Sequence, residues 1–306
     1  MDLTDRIKGC IVGGAIGDAF GSRYEGQQNP SIDLCADSLE ISDDTQLTLA
    51  TCEAIIESRG QIDPPAIASA FVRWFSESRI TGIGASTYKA LTELAVGGHW
   101  ALVGNKGERA AGNGAAMRIA PLAFCSDAAN PEDRRSIRDV SRITHHNEEA
   151  YVGALAVVIA VRAAFDGIWN GEEHLLQLVI DSLPDSRVKD RLIEIESVEA
   201  GMSVSEIGCR FGNSGYVVDS VPLALLGAQR VPILGFQRMI LELIAGGGDT
   251  DTIASIAGQI AGTLMGRSAL PDEMLAHIAE LEFIEQTSNN FADCVTIGLV
   301  KLISRS

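Results

Sequence analysis

Gly246-Gly247-Gly248-Asp249-Thr250-Asp251-Thr252-Ile253-Ala254-Ser255-Ile256-Ala257-Gly258 reads as a glycine turn, an acidic knot and the start of a buried helix. Ala254, Gly258, Gly262 and Gly266 recur every four residues, and residues four apart share a helix face. Near the N-terminus Gly9, Gly13, Gly17 and Gly21 repeat the spacing. A glycine inside a helix costs about 1 kcal/mol relative to alanine, so packing must offset each stripe. One reading is ordinary core packing. The sharper one is that the two stripes pack together and hold the acids beside them in register.

The second acidic knot is Ser42-Asp43-Asp44-Thr45, directly before a helical pattern. An N-cap explains one acid and one hydroxyl, because Ser and Asp cap helices and early acids suit the helix dipole. Adjacent carboxylates repel, however, and a second Asp-rich helix start repeats the arrangement. Hard divalent cations take oxygen donors, so both knots fit a magnesium-type site. If residues 249–251 form an extended turn, Asp249 and Asp251 point to one side and grip one ion or bridge two. A D-x-D is common by chance, and the EF-hand continuation is missing.

The 306 residues suffice for a substantial core, and no long polar linker interrupts them, so one continuous domain over 1–306 is expected. The chain is 46% apolar but only 5% aromatic, with 31 glycines, which favours closely packed helices. With 41 acidic against 24 basic residues the formal charge is −17, which argues against extended nucleic-acid binding. The six cysteines, Cys10, Cys35, Cys52, Cys125, Cys209 and Cys294, form neither a CxxC pair nor a His/Cys cluster. A reducing cytoplasm is the simplest reading. The N-terminus lacks the order of a secretory signal. The longest apolar stretches, 253–265 and 151–165, fall short of the roughly 20 residues that span a bilayer, so they read as buried helices and no membrane partner is expected.

Helical punctuation bounds segments at 66–78 after Asp63-Pro64-Pro65, at 132–144 after Asn130-Pro131, and at 150–166 after Asn147-Glu148-Glu149. Further helices are expected over 8–20, 46–58, 84–96, 171–182, 185–199, 222–226, 232–245, 272–282 and 290–303. Tyr216-Val217-Val218 is the single brief strand candidate. The fold class is therefore all-α: a compact orthogonal multi-helix bundle.

Five blocks, in order, carry a resemblance to the ADP-ribosylglycohydrolase family over nearly the whole chain. They are residues 7–21 with Glu25, residues 42–49, Gly112-Asn113-Gly114-Ala115-Ala116-Met117-Arg118, Thr144-His145, and residues 247–258. The resemblance implies an all-helical fold with two divalent cations, Mg2+ or Mn2+, on the floor of a cleft. It implies Ser42, Asp43, Asp44, Asp249, Asp251 and Thr252 as metal ligands, with Ser42 where many relatives have Thr. Glu25 matches a mobile-loop glutamate that approaches the metals; alone it reads as a solvated loop acid. Gly112, Asn113 and Gly114 match the loop that receives the diphosphate of ADP-ribose. Physically, close glycines expose backbone N–H groups to an anion, and Met117 onward can supply a helix N-terminus. His145 matches a histidine lining the ADP-ribose pocket, and Gly84 falls in a ligand-lining loop. Arg118 has two readings, a phosphate contact or a partner for a core carboxylate.

The implied activity is metal-dependent hydrolysis of the glycosidic bond between ADP-ribose and a modified acceptor, a protein side chain such as arginine or serine, or a small molecule. ADP-ribose is the product. Asp43, Asp44, Asp249 and Glu25 are the candidates for taking the water's proton. The competing readings are a catalytically silent ADP-ribose-binding protein of the same fold and a metal-dependent phosphohydrolase.

Overall fold

The computed structural model describes residues 2–28, 30–32, 38–172, 174–198 and 201–303, with side chains as far as residue 298. Cys35, Glu173 and Glu199, which the sequence reading touched, lie outside the described residues. Along the chain run α1 (Leu3–Ser22), α2 (Asp43–Glu57), α3 (Pro64–Ser76), α4 (Ala85–Ala95), α5 (Pro131–Arg142), α6 (Glu148–Asp166), α7 (Leu175–Ser182) and α8 (Arg187–Glu196). They are followed by α9 (Val204–Phe211), α10 (Val217–Gln229), α11 (Val231–Leu234), α12 (Phe236–Ala245), α13 (Thr250–Met265), α14 (Asp272–Leu275) and α15 (Leu281–Ile303). The only strands among the described residues are β1 (Asn105–Lys106) and β2 (His145–His146), a two-residue parallel pair. The all-α expectation is borne out.

Helices α1 and α13 meet along their glycine stripes, with Gly9 on Gly262, Gly13 on Gly258, Gly17 on Ala254 and Gly21 on Asp251. One set of numbers falls as the other rises, so the helices are antiparallel. The approach is too close for any side chain. A Cβ on Gly9 would stand 2.1 Å from the Gly262 carbonyl oxygen, and one on Gly262 would stand 2.0 Å from the Gly9 carbonyl oxygen. Around this pair pack α6, α10, α12 and α15, while α2 lies against α3 and α15. Both α6 and α13 are buried over most of their length, as their apolar sequences require.

Several elements differ from the expectation for identifiable reasons. Val217 and Val218 are the first turn of α10, not a strand, and Tyr216 is the N-cap of that helix, its one extended pairing being an isolated bridge to Gly112. Helix α10 continues through Pro222 to Gln229, where the sequence suggested a start at the proline. The predicted 232–245 helix breaks at Gly235, whose φ of 75° is the left-handed conformation that glycine adopts most easily. Helix α9 was not anticipated, although Ser203 and Glu206 form a complete capping box. Helix α15 begins at Leu281, earlier than expected, and α14 is a single turn.

The stripe contact makes a specific prediction. Gly13→Ala, whose Cβ would meet the Gly258 carbonyl oxygen at 2.4 Å, should destabilise the protein by about 1–3 kcal/mol or more. Gly298→Ala, in open space on α15, should be neutral or stabilising by up to about 1 kcal/mol. Urea unfolding of the two variants checks this, and equal effects would show that the stripe is not a contact surface.

Candidate active site

The first acidic knot is held by a residue that sequence reasoning did not assign. Asp18 of α1, fully buried, accepts from the Ser42 backbone N–H at 3.0–3.1 Å, the Ser42 hydroxyl at 2.6 Å and the Thr45 N–H at 3.1 Å. It thereby caps α2 from another element. The available signal was that Asp18 is the one acid in residues 7–21. Ser42 is the N-cap of α2 and accepts from Asp44 N–H, so the capping reading is right for this residue. Asp43 and Asp44 belong to the first turn of the helix, not to the segment before it, and their carboxylates line a cavity. Ser42 is not among the cavity-lining residues.

The second knot opens α13. Gly247 and Gly248 have φ of 69° and 81°, and a Cβ on Gly248 would lie 2.2 Å from the Asn213 carbonyl oxygen. Only glycine fits there. Gly248 also pairs with the loop after α1: Gly26 N–H donates to the Gly248 carbonyl at 2.8 Å, and Gly248 N–H to the Gln27 carbonyl at 3.1 Å. That pairing delivers Glu25. Carboxylate oxygens of Glu25, Asp249 and Asp251 lie within 4.8 Å of one another. The expected extended turn is instead a helix start, with Asp249 as N-cap and Asp251 in the first turn. Thr252 joins the knots by donating from Oγ1 to Asp44 Oδ2 at 3.2 Å.

This crowding is electrostatically unfavourable without a counter-charge. Burial, then the charges of neighbouring acids, pushes the Asp43 and Asp44 carboxyls well above the usual range. Burial and Asp249 raise Asp251 to about 8, and burial also raises Asp249. The charge of Asp251, followed by partial burial, raises the exposed Glu25. Carboxylate oxygens of Asp249 and Asp251 lie so close that both cannot be charged cheaply without a counter-ion. Asp44 Oδ1 is buried with no hydrogen-bond partner. An orphan carboxylate oxygen beside an acidic triad suits a hard divalent cation.

The cavity has a volume of about 270 Å³. Besides the five acids and Thr252, its lining includes Gly82, Gly84, Thr87, Gly112, Asn113, Gly114, His145 and Gly215. The predicted site residues other than Ser42 are thus brought together, and Thr87 and Gly215 are additions that no sequence motif announced. Asn113 donates through Nδ2 to Asp249 and to Ser220 Oγ at 3.1 Å, so it braces the second knot. Its backbone N–H is spent on the Gly215 carbonyl.

No α-helix starts after Met117, and the segment instead carries a short 3-10 helix over Ala120–Phe124. Residues 113–115 are one 3-10 turn, and the Met117 carbonyl accepts from Gln259 Nε2 of α13 at 2.6 Å. Arg118 follows neither of its two readings. It is fully buried, does not line the cavity, and has no ion-pair partner among the described residues. Its guanidinium lies 5.0 Å from the centre of the Phe71 ring and donates to the Gly114 carbonyl and to Thr144 Oγ1. Burial lowers its pKa to about 9, and burial with the Arg118 charge lowers His145 to about 3, so the imidazole is neutral.

A family model described as ADP-ribosylglycohydrolase matches residues 1–301. The chain belongs to the ADP-ribosylglycohydrolase family. Among the relatives is the ADP-ribosylarginine hydrolase Tri1 of Pseudomonas putida (strain GB-1), 29% identical over 94% of this chain and 78% of that one. The ADP-ribosylhydrolase ARH3 of Homo sapiens is 26% identical over 87% of each chain. A solved structure of an "ADP-ribosylglycohydrolase-related protein complex" is similar with a TM-score of 0.73 at 25% identity, covering 96% of this chain and 99% of that one. No helix among the described residues is long and apolar enough to cross a membrane.

The raised carboxyls set a pH dependence with a definite sign. A carboxyl whose folded pKa lies above its unfolded value stabilises the fold below the unfolded pKa and loses that contribution as pH rises through the folded one. For Asp251 the window runs from 3.8 to about 8. Cation-free protein should therefore melt at a lower temperature at pH 8 than at pH 5. Added Mg2+ or Mn2+ should raise the melting temperature more at pH 8. A cation response that is equal at both pH values would contradict the assignment of the site.

Proposed function

We propose that the protein is a divalent-cation-dependent glycohydrolase that cleaves the bond between the anomeric carbon of ADP-ribose and a protein acceptor, arginine or serine, and releases ADP-ribose. The observation that carries this is the convergence of Glu25, Asp249 and Asp251 with Asp43 and Asp44 in one cavity with the Gly112 to Gly114 loop and His145. Family membership supports the reaction class. The name of the Pseudomonas putida relative supports including the arginine linkage.

In this reading Glu25, Asp43, Asp44, Asp249, Asp251 and Thr252 hold one or two Mg2+ or Mn2+ ions, and Ser42 acts chiefly as the cap that aims Asp43 and Asp44. A bound cation supplies Lewis acidity, orients the ribose hydroxyls and lowers the pKa of a bound water. The residues of the chain do the rest. Asn113 fixes Asp249, and Thr252 fixes Asp44, so the two knots keep their spacing. Water attacks the anomeric carbon, the bond to the acceptor nitrogen or oxygen breaks, and the proton lost by the water ends, by way of a carboxylate, on the departing nitrogen or oxygen. A carboxylate must accept the proton of the water. Among Asp43, Asp44, Asp249 and Glu25, Glu25 alone is exposed and can exchange that proton with solvent. The surrounding carboxylates also favour the positive charge that develops on the ribose ring.

The decisive experiment is a panel of arginine-linked, serine-linked and small-molecule ADP-ribose conjugates assayed with Mg2+, with Mn2+ and with chelator. Free ADP-ribose should appear only with cation, and Asp43→Ala and Asp251→Ala should each lower turnover by about a hundredfold or more. Full turnover in chelator sinks the metal-dependent reading. AMP and ribose phosphate as products would instead mark a phosphohydrolase, and tight binding without any product would mark a silent binding protein.

A further inference from the structure

Behind the cavity wall three side chains form a chain of hydrogen bonds whose direction can be deduced. Arg118 Nη2 lies 2.8 Å from Thr144 Oγ1, and Thr144 Oγ1 lies 2.7 Å from His145 Nδ1. All three residues are buried: Arg118 and Thr144 are fully enclosed and His145 is 3% exposed. A guanidinium has donors only, so Thr144 must be the acceptor in the first bond. A hydroxyl has a single proton. Were His145 Nδ1 also a donor, that proton would need a third partner, and none exists among the described residues for a fully buried group. Leaving it unmatched costs about 1–3 kcal/mol. The hydroxyl therefore donates to Nδ1, and the imidazole proton is on Nε2.

Nε2 is the nitrogen that faces the glycine loop. A Cβ on Gly112 would stand 3.2 Å from Nε2, and one on Gly114 would stand 2.8 Å from Cε1, so the ring edge occupies space that only glycines leave open. His145 lines the cavity, and among the described residues no protein atom accepts from Nε2. Arg118 also donates to the Gly114 carbonyl, which couples the position of the loop to that of the ring.

We propose that Thr144 is a positioning residue: oriented by Arg118, it fixes the proton of His145 on Nε2 and makes the ring a neutral donor to a phosphate or ribose oxygen of bound ADP-ribose. The choice of ligand rests on the proposed function, but the proton relay does not. A neutral donor suits an oxygen acceptor and disfavours a ligand amine or amide N–H at this point, so the relay contributes selectivity as well as affinity.

The test reads the imidazole nitrogens of ligand-free protein by long-range 1H–15N NMR with 15N-histidine. Wild-type protein should show Nε2 protonated and Nδ1 unprotonated, and Thr144→Ser should keep that pattern. Thr144→Val, close in shape but without the hydroxyl, should lose the single-tautomer signature and weaken ADP-ribose binding about tenfold in calorimetry. A wild-type proton on Nδ1 overturns the relay, even if ADP-ribose binds. So does a folded Thr144→Val protein with unchanged tautomer and affinity. Absence of ADP-ribose binding to wild-type protein overturns the proposed function instead, and the wild-type tautomer then decides the relay by itself.

Discussion

Everything in the cavity depends on two helix backbones coming close enough to exclude side chains from their interface. Between α1 and α13 the facing surfaces are glycine Cα atoms and carbonyl oxygens, so each helix fixes the axial position of the other to within a fraction of a turn. This register places Asp18, one turn before Gly21, beside the start of α2, and it places residues 249–252 at the end of α1. Thr250 Oγ1 closes the junction by donating to the Gly21 carbonyl at 2.8 Å. The ends of a 306-residue chain thus build one wall together. Each interior glycine forfeits about 1 kcal/mol of helix propensity, and the close packing along the whole stripe offsets that cost.

Five carboxylates gathered in one cavity oppose folding, and the fold answers with two compensations. Two helices, α2 and α13, begin there, and the positive ends of their dipoles favour acids in the first turn by about 0.3–1 kcal/mol each. A hydroxyl and an amide take up individual oxygens: Thr252 on Asp44, and Asn113 on Asp249. What these leave unmet is the net charge and the orphan Asp44 Oδ1. In the proposed function a divalent cation would meet both at once, in a protein whose formal charge is already −17. On that reading the arrangement is costly when cation-free and would be favourable when filled. That asymmetry is the signature of a binding site rather than of a structural ion-pair network.

The legible parts of the sequence were those whose physics is local. Asp43, Asp44, Asp249 and Asp251 stood out because like charges beside hydroxyls at a helix start are locally unfavourable. The glycine stripes stood out because they offend helix propensity. Asp18 went unassigned because its partners, Ser42 and Thr45, are a loop away and become partners only after α1 is placed. Met117 was misread for a similar reason: its carbonyl is held by Gln259, 142 residues on, and this contact, not an α-helix, shapes the segment. The start of α10 was misplaced because β-branched Val217 and Val218 look strand-like, and Pro222 looks like a helix opening. Burial of Val217 and Val218 against neighbouring helices overrides those preferences. The capping box at Ser203 and Glu206 was readable and was passed over.

Arg118 shows why the two parts of the cavity need each other. A buried guanidinium without a carboxylate is expensive, and Nε of Arg118 has no partner; the cost is reduced here because Nη1 and Nη2 donate to the Gly114 carbonyl and Thr144 while the face lies towards Phe71. An adjacent aspartate would have neutralised it more simply. Such a carboxylate would also have added a sixth negative charge beside the glycine loop, where an anionic ligand would have to approach. By supporting the loop and the imidazole with a cation that is paired only to neutral oxygens, the fold keeps a positive charge behind that wall while the acidic knots supply the negative charge. The ligand of the proposed function, which carries phosphates and a polyhydroxy sugar, would match both parts if a cation were held by the acids. A purely cationic or purely anionic one matches only half of the cavity.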